Sequence, residues 1–542
     1  MARGGDDGTA MTGLGSFLTK MAELHGTKPA LVLDGRRLGF AALDVMSRRV
    51  AGGLARLGIG RGDRVAFWLP NVPAYLVLFF ACARLGAAAV AVNTRFRSSE
   101  VGDIVGRSGA KALVLWPDFH AIRFLEILAA VDPAALARIE TVVLYGTAAG
   151  ALPNLPLPAA RRVAYGALAE APPLEGEGAG GPDDGAAIFT TSGTTKAPKL
   201  VLHRQRSLLD HALKVAPGFG FDRPGTVLFQ AVPYCGVFGF SQALAALAAG
   251  APSHLMPAFE AEPAAELLRR EAVTQTNGAD DMFRRLLAAA PEARPFPAMR
   301  AAGFAAFTSD PRVMVDEADG RGLTLVGLYG MSEVQALLAH QPEAASPAAR
   351  ARPGGVCVDP ATVVRARDPD TGAVLPPGQS GELEISGPSL MAGYDGNPEA
   401  TAAAFTEDGF FRTGDLGFVD PAGGFVFETR MGDVLRLGGF LVSPAEIEAH
   451  LQAHPCVDTA QVVGVATATG PRAVGFVTLQ PGAGFDEAVL RDWCRASLAG
   501  FKVPVRIIRL DEFPATQSAN GVKIQRARLR DMAAAALAGV TA

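Results

Sequence analysis

A chain of 542 residues is too long for one ordinary domain, and about two to four are expected. Hydrophobic residues make up 49% of it, enough for a large core, and the net charge of −4 argues against a nucleic-acid or anionic-membrane partner. The five cysteines show no C-x-x-C and no paired spacing, which reads as a reduced, cytoplasmic protein without a cysteine-based metal site.

Residues 1–12 are acidic and glycine-rich, lack the apolar core of a signal peptide, and read as disordered. An apolar strand follows at 64–69. Next comes a helix over 73–85, started by Asn71 and Pro73 and stopped by Gly86, and then buried strands at 87–92 and 111–115. Residues 74–92 are apolar enough to raise a membrane span, but Arg84 and Gly86 interrupt them, so a buried helix and strand are expected in a soluble protein. This strand–helix alternation argues for α/β layers with mainly parallel sheets. The Gly/Pro/Glu-rich stretch from Glu170 to Asp184 reads as a linker.

From about 352 to 430 short strands alternate with Gly, Pro and Asp-Gly turns, the pattern of a β-rich subdomain. A boundary near 432 divides an N-terminal domain, 13–431, from a small α+β C-terminal domain, 432–542. The latter is expected to hold a helix from Pro444, strands near 460–480, a helix from Phe485 and a last helix from Gln525.

The segment Thr190-Thr191-Ser192-Gly193-Thr194-Thr195-Lys196-Ala197-Pro198-Lys199 follows an apolar strand and gathers hydroxyls, one glycine and two lysines. Free backbone N–H groups, hydroxyl donors and a lysine charge suit an anion such as a nucleotide triphosphate. No G-x-x-x-x-G-K-[ST] pattern fits, so this is not a Walker A loop, and a plain Ser/Thr/Gly surface loop is the competing reading.

Further segments bear on that choice. Tyr329-Gly330-Met331-Ser332-Glu333 ends an apolar strand and offers a ring for a base and a carboxylate for a divalent cation. It lacks the second glycine of a nucleophile elbow, which argues against a serine hydrolase. Arg412-Thr413-Gly414-Asp415-Leu416 places an aspartate in a turn, suited to accepting two hydrogen bonds from vicinal hydroxyls. Arg430-Met431-Gly432-Asp433 falls at the interdomain joint. Gly438-Gly439 opens a strand and a capped helix, and Asn520-Gly521-Val522-Lys523 puts one lysine beside a glycine turn. Singly, Asp415 could be an Asx-turn, Arg430 a surface ion pair and Lys523 a solvated charge.

Together and in this order these segments resemble the adenylate-forming superfamily, over about residues 13–535. Leu85 to Arg97, Phe501-Lys502-Val503-Pro504 and Pro514 to Arg526 look most like its acyl-CoA synthetase branch. The resemblance implies a large α/β N-terminal domain and a mobile C-terminal lid. It implies that ATP and a carboxylic acid give an acyl-adenylate and pyrophosphate, after which coenzyme A displaces AMP. By the same resemblance Thr191, Ser192, Gly193, Thr194 and Thr195 cradle the β/γ-phosphates, supported by Lys199. Tyr329 stacks on adenine, Glu333 with Thr194 holds Mg²⁺, Asp415 takes the ribose hydroxyls, and Arg430 contacts ribose or phosphate. Lys523 bridges the carboxylate and the α-phosphate. Gly438 and Gly439 line the pantetheine tunnel.

Four positions depart from the resemblance. Lys196 and Leu200 stand where the family's loop has glycine, Gly236 where it has an acid-site histidine, and Gly432 where the hinge is aspartate or lysine. Phe238, Phe240, Phe283, Phe304 and Phe307 are candidates for an apolar acyl or aryl pocket, and equally for ordinary core. His203 is expected to be structural rather than a general base. The leading expectation is an acid–CoA ligase acting on a fatty or aromatic acid, with a homodimer left open. The alternatives are adenylation with a carrier-protein thiol, an amine or a small oxyanion such as nitrite as the other reactant, and a non-catalytic nucleotide-binding protein.

Overall fold

A computed structural model describes residues 13–120, 122–191, 198–306, 311–437, 440–442, 444–467, 470–498, 500–518 and 521–538. The sequence expectations for Ser192, Gly193, Thr194, Thr195, Lys196, Phe307, Gly438 and Gly439, and for residues 1–12, lie outside the described residues.

The helix Pro73–Leu85 has the bounds the sequence implied. Proline tolerates the first helical turn because its missing N–H would have no partner there. Every side chain from Ala74 to Leu85 is buried. Such a helix is hydrophobic all round because it lies inside the protein, and among the described residues no helix is long and apolar enough to cross a membrane. The one charge on it, Arg84, is fully buried and paired with Asp44 and Glu177. Burying a charge is tolerated only with such partners. Because Glu177 also binds Arg48 at 2.8 Å, the stretch read as a linker is pinned across two helices.

The apolar runs become strands Arg64–Trp68, Ala88–Ala91, Ala112–Leu115, Thr141–Leu144 and Arg161–Ala164, all parallel, in an eight-stranded sheet. Strand Gly185–Thr190 pairs with Ala88–Ala91 in parallel. It then turns back as the antiparallel strand Leu200–Arg204, and Gly393–Tyr394 closes that edge.

A nine-stranded sheet begins with Asn277–Ala279, Ala301–Ala305 and Thr324–Met331 in parallel. It continues in antiparallel pairs through Gln335–His340, Gly354–Cys357, Phe425–Arg430, Phe411–Val419, Gly381–Ser386 and Val363–Arg367. The turn-rich strands after 352 therefore extend a sheet that starts in the α/β region. A four-stranded sheet joins Leu228–Gln230, Ser253–Leu255, Pro29–Leu33 and Arg36–Gly39.

After Arg430 the chain builds a small α+β domain on separate sheets: hairpin Leu435–Leu437/Phe440–Val442, strands Val457–Val465, Arg472–Leu479 and Arg506–Arg509, and hairpin Ala515–Ser518/Gly521–Ile524. Helices Pro444–Gln452, Glu487–Ser497 and Arg526–Ala538 complete it. The whole is a mixed α/β architecture with a large N-terminal domain and a small C-terminal one.

Candidate active site

Strands Gly185–Thr190 and Leu200–Arg204, which flank the hydroxyl-rich segment, pair in antiparallel fashion. Thr191 N–H donates to the Lys199 carbonyl at 3.1 Å, and Lys199 N–H donates to Thr191 Oγ1 at 3.1 Å. These bonds tie Thr191 to Lys199, the described residues on either side of the segment. The Lys199 ammonium lies 4.3 Å from the centre of the Tyr394 ring, a cation–π contact.

Tyr394 leads onward to Glu333. Its hydroxyl donates to Glu333 Oε1 at 3.0 Å. Glu333 occupies the short turn between Thr324–Met331 and Gln335–His340, and it is only 6% exposed. Burial raises its carboxyl above the usual glutamate range, opposed by the Tyr394 hydroxyl. Gly330 makes this tight return possible, since a Cβ there would meet Ala336 Cα at 2.6 Å and Gln335 O at 2.8 Å. Tyr394 was not anticipated from the sequence; its only signal is an aromatic after a glycine in a turn-rich stretch.

His203, on the strand leaving the loop, is fully buried with Nε2 2.7 Å from the Ser332 carbonyl. That contact makes Nε2 the protonated nitrogen. Burial pushes the imidazole down to about 4, so it stays neutral near pH 7. This geometry fits a structural role.

Asp415 forms the second half of the site. The sequence reading put it in a turn, but it lies within strand Phe411–Val419, in register with Arg430. The local distortion is supplied by Gly414, whose φ of +67° falls where glycine is favoured, and by a register shift after Leu416. The reason for the difference is tertiary: pairing with Phe425–Arg430 draws a glycine-containing segment into the sheet.

Asp415 is 1% exposed. Its Oδ2 accepts from the Tyr329 hydroxyl at 2.6 Å. Oδ1 lies 3.0 Å from Arg430 Nη1, yet no donor hydrogen is aligned on it, so this contact is an ion pair rather than a hydrogen bond. Burial raises the carboxyl to about 6, against the favourable charge of Arg430. Tyr329 is buried too, its ring edge-on to Phe425 at 5.0 Å.

The structure thus groups Tyr329, Asp415 and Arg430, and joins Glu333 to Lys199 through Tyr394. Lys523 lies opposite Thr516 in the hairpin of the small domain.

Of the two readings left open for the phenylalanines, the described ones follow the ordinary-core reading. Phe240 packs against Phe79 at 4.7 Å and Phe189 at 5.3 Å, and Phe238 belongs to the same core. Phe283 and Phe304 belong to a separate core beneath the nine-stranded sheet. These four are buried in two different hydrophobic clusters. Gly236 precedes helix Val237–Ala248 with φ −108°, extended backbone open to any residue, so its consequence is the missing side chain.

Residues 18–395 match the model of the AMP-binding enzyme family, and residues 446–520 match the model of the AMP-binding enzyme C-terminal domain. The chain belongs to the AMP-binding enzyme family. Within it, the chain is similar to triostin synthetase I of Streptomyces triostinicus, at 31% identity over 96% of this chain and 94% of the relative. It is similar to 2-succinylbenzoate–CoA ligase of Geobacillus kaustophilus (strain HTA426), at 33% identity over 93% and 95% of the two chains. Among solved structures, ATP-bound MatB from Rhodopseudomonas palustris superposes with a TM-score of 0.80 at 27% identity, covering 96% of this chain and 98% of that one. As an AMP-binding enzyme of the acyl-CoA synthetase branch, the chain is an adenylate-forming ligase by family.

Proposed function

We propose that this protein uses ATP to activate a fatty or aromatic carboxylic acid as its acyl-adenylate and then transfers the acyl group to coenzyme A. The observation that carries the reading is the buried Asp415 carboxylate: one oxygen is held by Tyr329 and the other has no aligned donor among the described residues. A buried acceptor without a donor is costly, and two vicinal ribose hydroxyls would remove that cost. The ATP-bound state of MatB and the CoA-ligase name of the Geobacillus relative support the same assignment.

In the first half-reaction a carboxylate oxygen attacks the α-phosphorus and pyrophosphate leaves. Charge gathers on the phosphoryl oxygens, so fixed positive groups and aligned donors are the useful catalysts. Lys523 would supply that charge, Arg430 would meet ribose or phosphate, and the Thr191–Lys199 turn would hold the departing pyrophosphate. In the second half-reaction the thiol of coenzyme A attacks the acyl carbon, AMP leaves, and the thiol proton passes to solvent.

A Mg²⁺ ion fits the chemistry of the donors. Glu333 offers a carboxylate, and Mg²⁺ is commonly bound by one or two carboxylates plus substrate phosphates rather than by an all-protein cage. Glu333 with Thr194 would hold the ion, which would neutralise phosphate charge.

The test is acid-dependent ATP–pyrophosphate exchange across a panel of carboxylic acids, with and without coenzyme A, followed by mass spectrometry. Exchange with at least one acid, and an acyl-CoA with AMP when the thiol is present, is the expected result. ATP binding without exchange for any acid would overturn the reading in favour of a non-catalytic nucleotide-binding protein. AMP release without a thioester would shift the acceptor to a carrier-protein thiol or an amine.

A further inference from the structure

On the other side of the strand that carries Tyr329 lies a chain of buried carboxamides. Side chains alternate along a strand, so Leu328 faces away from Tyr329. Leu328 shares its space with Gly303 and Asn277: a Cβ at Gly303 would meet Asn277 Oδ1 at 2.6 Å and Leu328 Cδ2 at 2.9 Å. From Asn277 the amides run on to Gln242, on helix Val237–Ala248, and to Gln230, at the end of strand Leu228–Gln230.

Backbone N–H groups dictate which way each amide points. Gly303 N–H donates to Asn277 Oδ1 at 2.7 Å, which leaves the Asn277 Nδ2 group as the other arm. Asn277 N–H donates to Gln242 Oε1 at 2.9 Å, so Gln242 Nε2 must be its donor arm. That arm reaches Gln230 Oε1 at 3.0 Å and the Phe229 carbonyl at 3.1 Å. Gln230 Nε2 is then the remaining donor. Turning any one amide over would set donor against donor or oxygen against oxygen.

The outcome is two –NH₂ groups, Gln230 Nε2 and Asn277 Nδ2, without an acceptor among the described residues. Gln230 is 0% and Asn277 2% exposed. Ser241, one residue before Gln242, also has a buried hydroxyl without a partner. A core that needed only packing would place apolar side chains here, since an unpaired buried donor is costly.

We propose that Gln230 and Asn277, held in orientation by Gln242, are specificity-determining residues that donate hydrogen bonds to an oxygen on the acyl group. The acid is then an oxygenated one, carrying a hydroxyl, oxo or second carbonyl group along its chain or ring, and a plain alkyl or aryl acid is the poorer substrate. This rests on the ligase reading above. Its location is coherent with that reading, because Gln242 lies on helix Val237–Ala248, which begins directly after Gly236, the position where the family resemblance puts an acid-site histidine. A site built to donate to a substrate oxygen discriminates strongly against the analogue lacking it, since the donors are then left unpaired.

The experiment uses the full-length protein and ATP–pyrophosphate exchange with pairs of acids of matched length, one oxygenated and one deoxy. The wild type is expected to favour the oxygenated member of at least one pair by about tenfold or more in kcat/KM. Gln230→Met, similar in volume but without the donor, should shrink that ratio about tenfold, chiefly through KM for the oxygenated acid. Gln242 retains its bond to the Phe229 carbonyl in that variant, and thermal unfolding checks that it folds. Should it fail to fold, Gln230→Glu, which keeps the oxygen facing Gln242, replaces it.

Equal or better exchange with the deoxy acids in every pair would overturn the proposal while leaving the ligase reading intact. An unchanged ratio in the variants, with both acids slowed alike, would show a purely structural network and overturn it as well. No exchange with any acid would remove the ligase reading and this one with it.

Discussion

The large domain and the small one hold their candidate catalytic groups in opposite ways. In the large domain Tyr329 is bonded to Asp415, and Tyr394 to Glu333, so those polar groups are buried and oriented by one another. In the small domain Lys523 sits on a two-stranded hairpin, in a different sheet from all of these. Groups that must recognise a fixed ligand shape gain from being set in advance, because little ordering remains to be done on binding. A charge needed in only one half-reaction gains from riding on a separate body that can move between steps.

The sharpest way to break this contrast is Lys523→Ala. We expect ATP–pyrophosphate exchange to fall about 10²- to 10³-fold, the usual loss when one transition-state charge partner is removed. Transfer to coenzyme A from a preformed acyl-adenylate should be affected far less, as followed by single-turnover thioester formation. Equal losses in both steps would place Lys523 in a general folding role instead.

Acid titration probes the burial that orients the large domain. His203 and His211 are both buried, and burial lowers each to about 4. Between about pH 6.5 and 4 the unfolded chain binds protons that the folded one does not, so stability falls as pH falls through that window. Each histidine contributes at most about 3 kcal/mol. Asp415 opposes them, since its raised carboxyl keeps its proton up to about pH 6 in the folded state and favours folding at the acid end. The midpoint of thermal unfolding should therefore drop on acidification, with a shallower slope in His203→Gln.

Asp415→Asn should weaken ATP binding about 10- to 100-fold, the range of a lost charge-assisted hydrogen bond. In the wild type, ATP affinity measured calorimetrically should decline as pH falls through about 6, where Asp415 gains its proton. The asparagine variant should lack that inflection. Tyr394→Phe carries the smallest effect. It leaves Glu333 Oε1 without its donor and should slow exchange about fivefold. A rise in the Mg²⁺ concentration needed for half-maximal rate would tie that loss to Glu333.

Much of the site was legible because its residues fall in short segments rich in glycine and hydroxyls at strand ends. Tyr329, Glu333, Asp415 and Arg430 were all singled out in that way, and the structure brings Tyr329, Asp415 and Arg430 together. Tyr394 was missed because its meaning depends on Gly393–Tyr394 pairing with strand Leu200–Arg204, about 190 residues earlier. The phenylalanines stayed ambiguous between pocket and core for a related reason. An aromatic residue carries no mark of which hydrophobic layer it will enter, and Phe240 and Phe304 entered two different ones.

What the sequence determined by itself was the order of strands and helices, the buried helix Pro73–Leu85, and the family to which the glycine- and hydroxyl-rich segments belong. These rest on local rules: side-chain periodicity, proline and glycine as helix boundaries, and chemistry packed into a few consecutive residues. Only the tertiary structure decided that Asp415 is a strand residue, that Glu333 is reached through Tyr394, and that Gln230, Gln242 and Asn277 form one chain of amides. Each of those facts depends on which backbone N–H or hydroxyl meets which oxygen across distant segments, and burial makes every such pairing count.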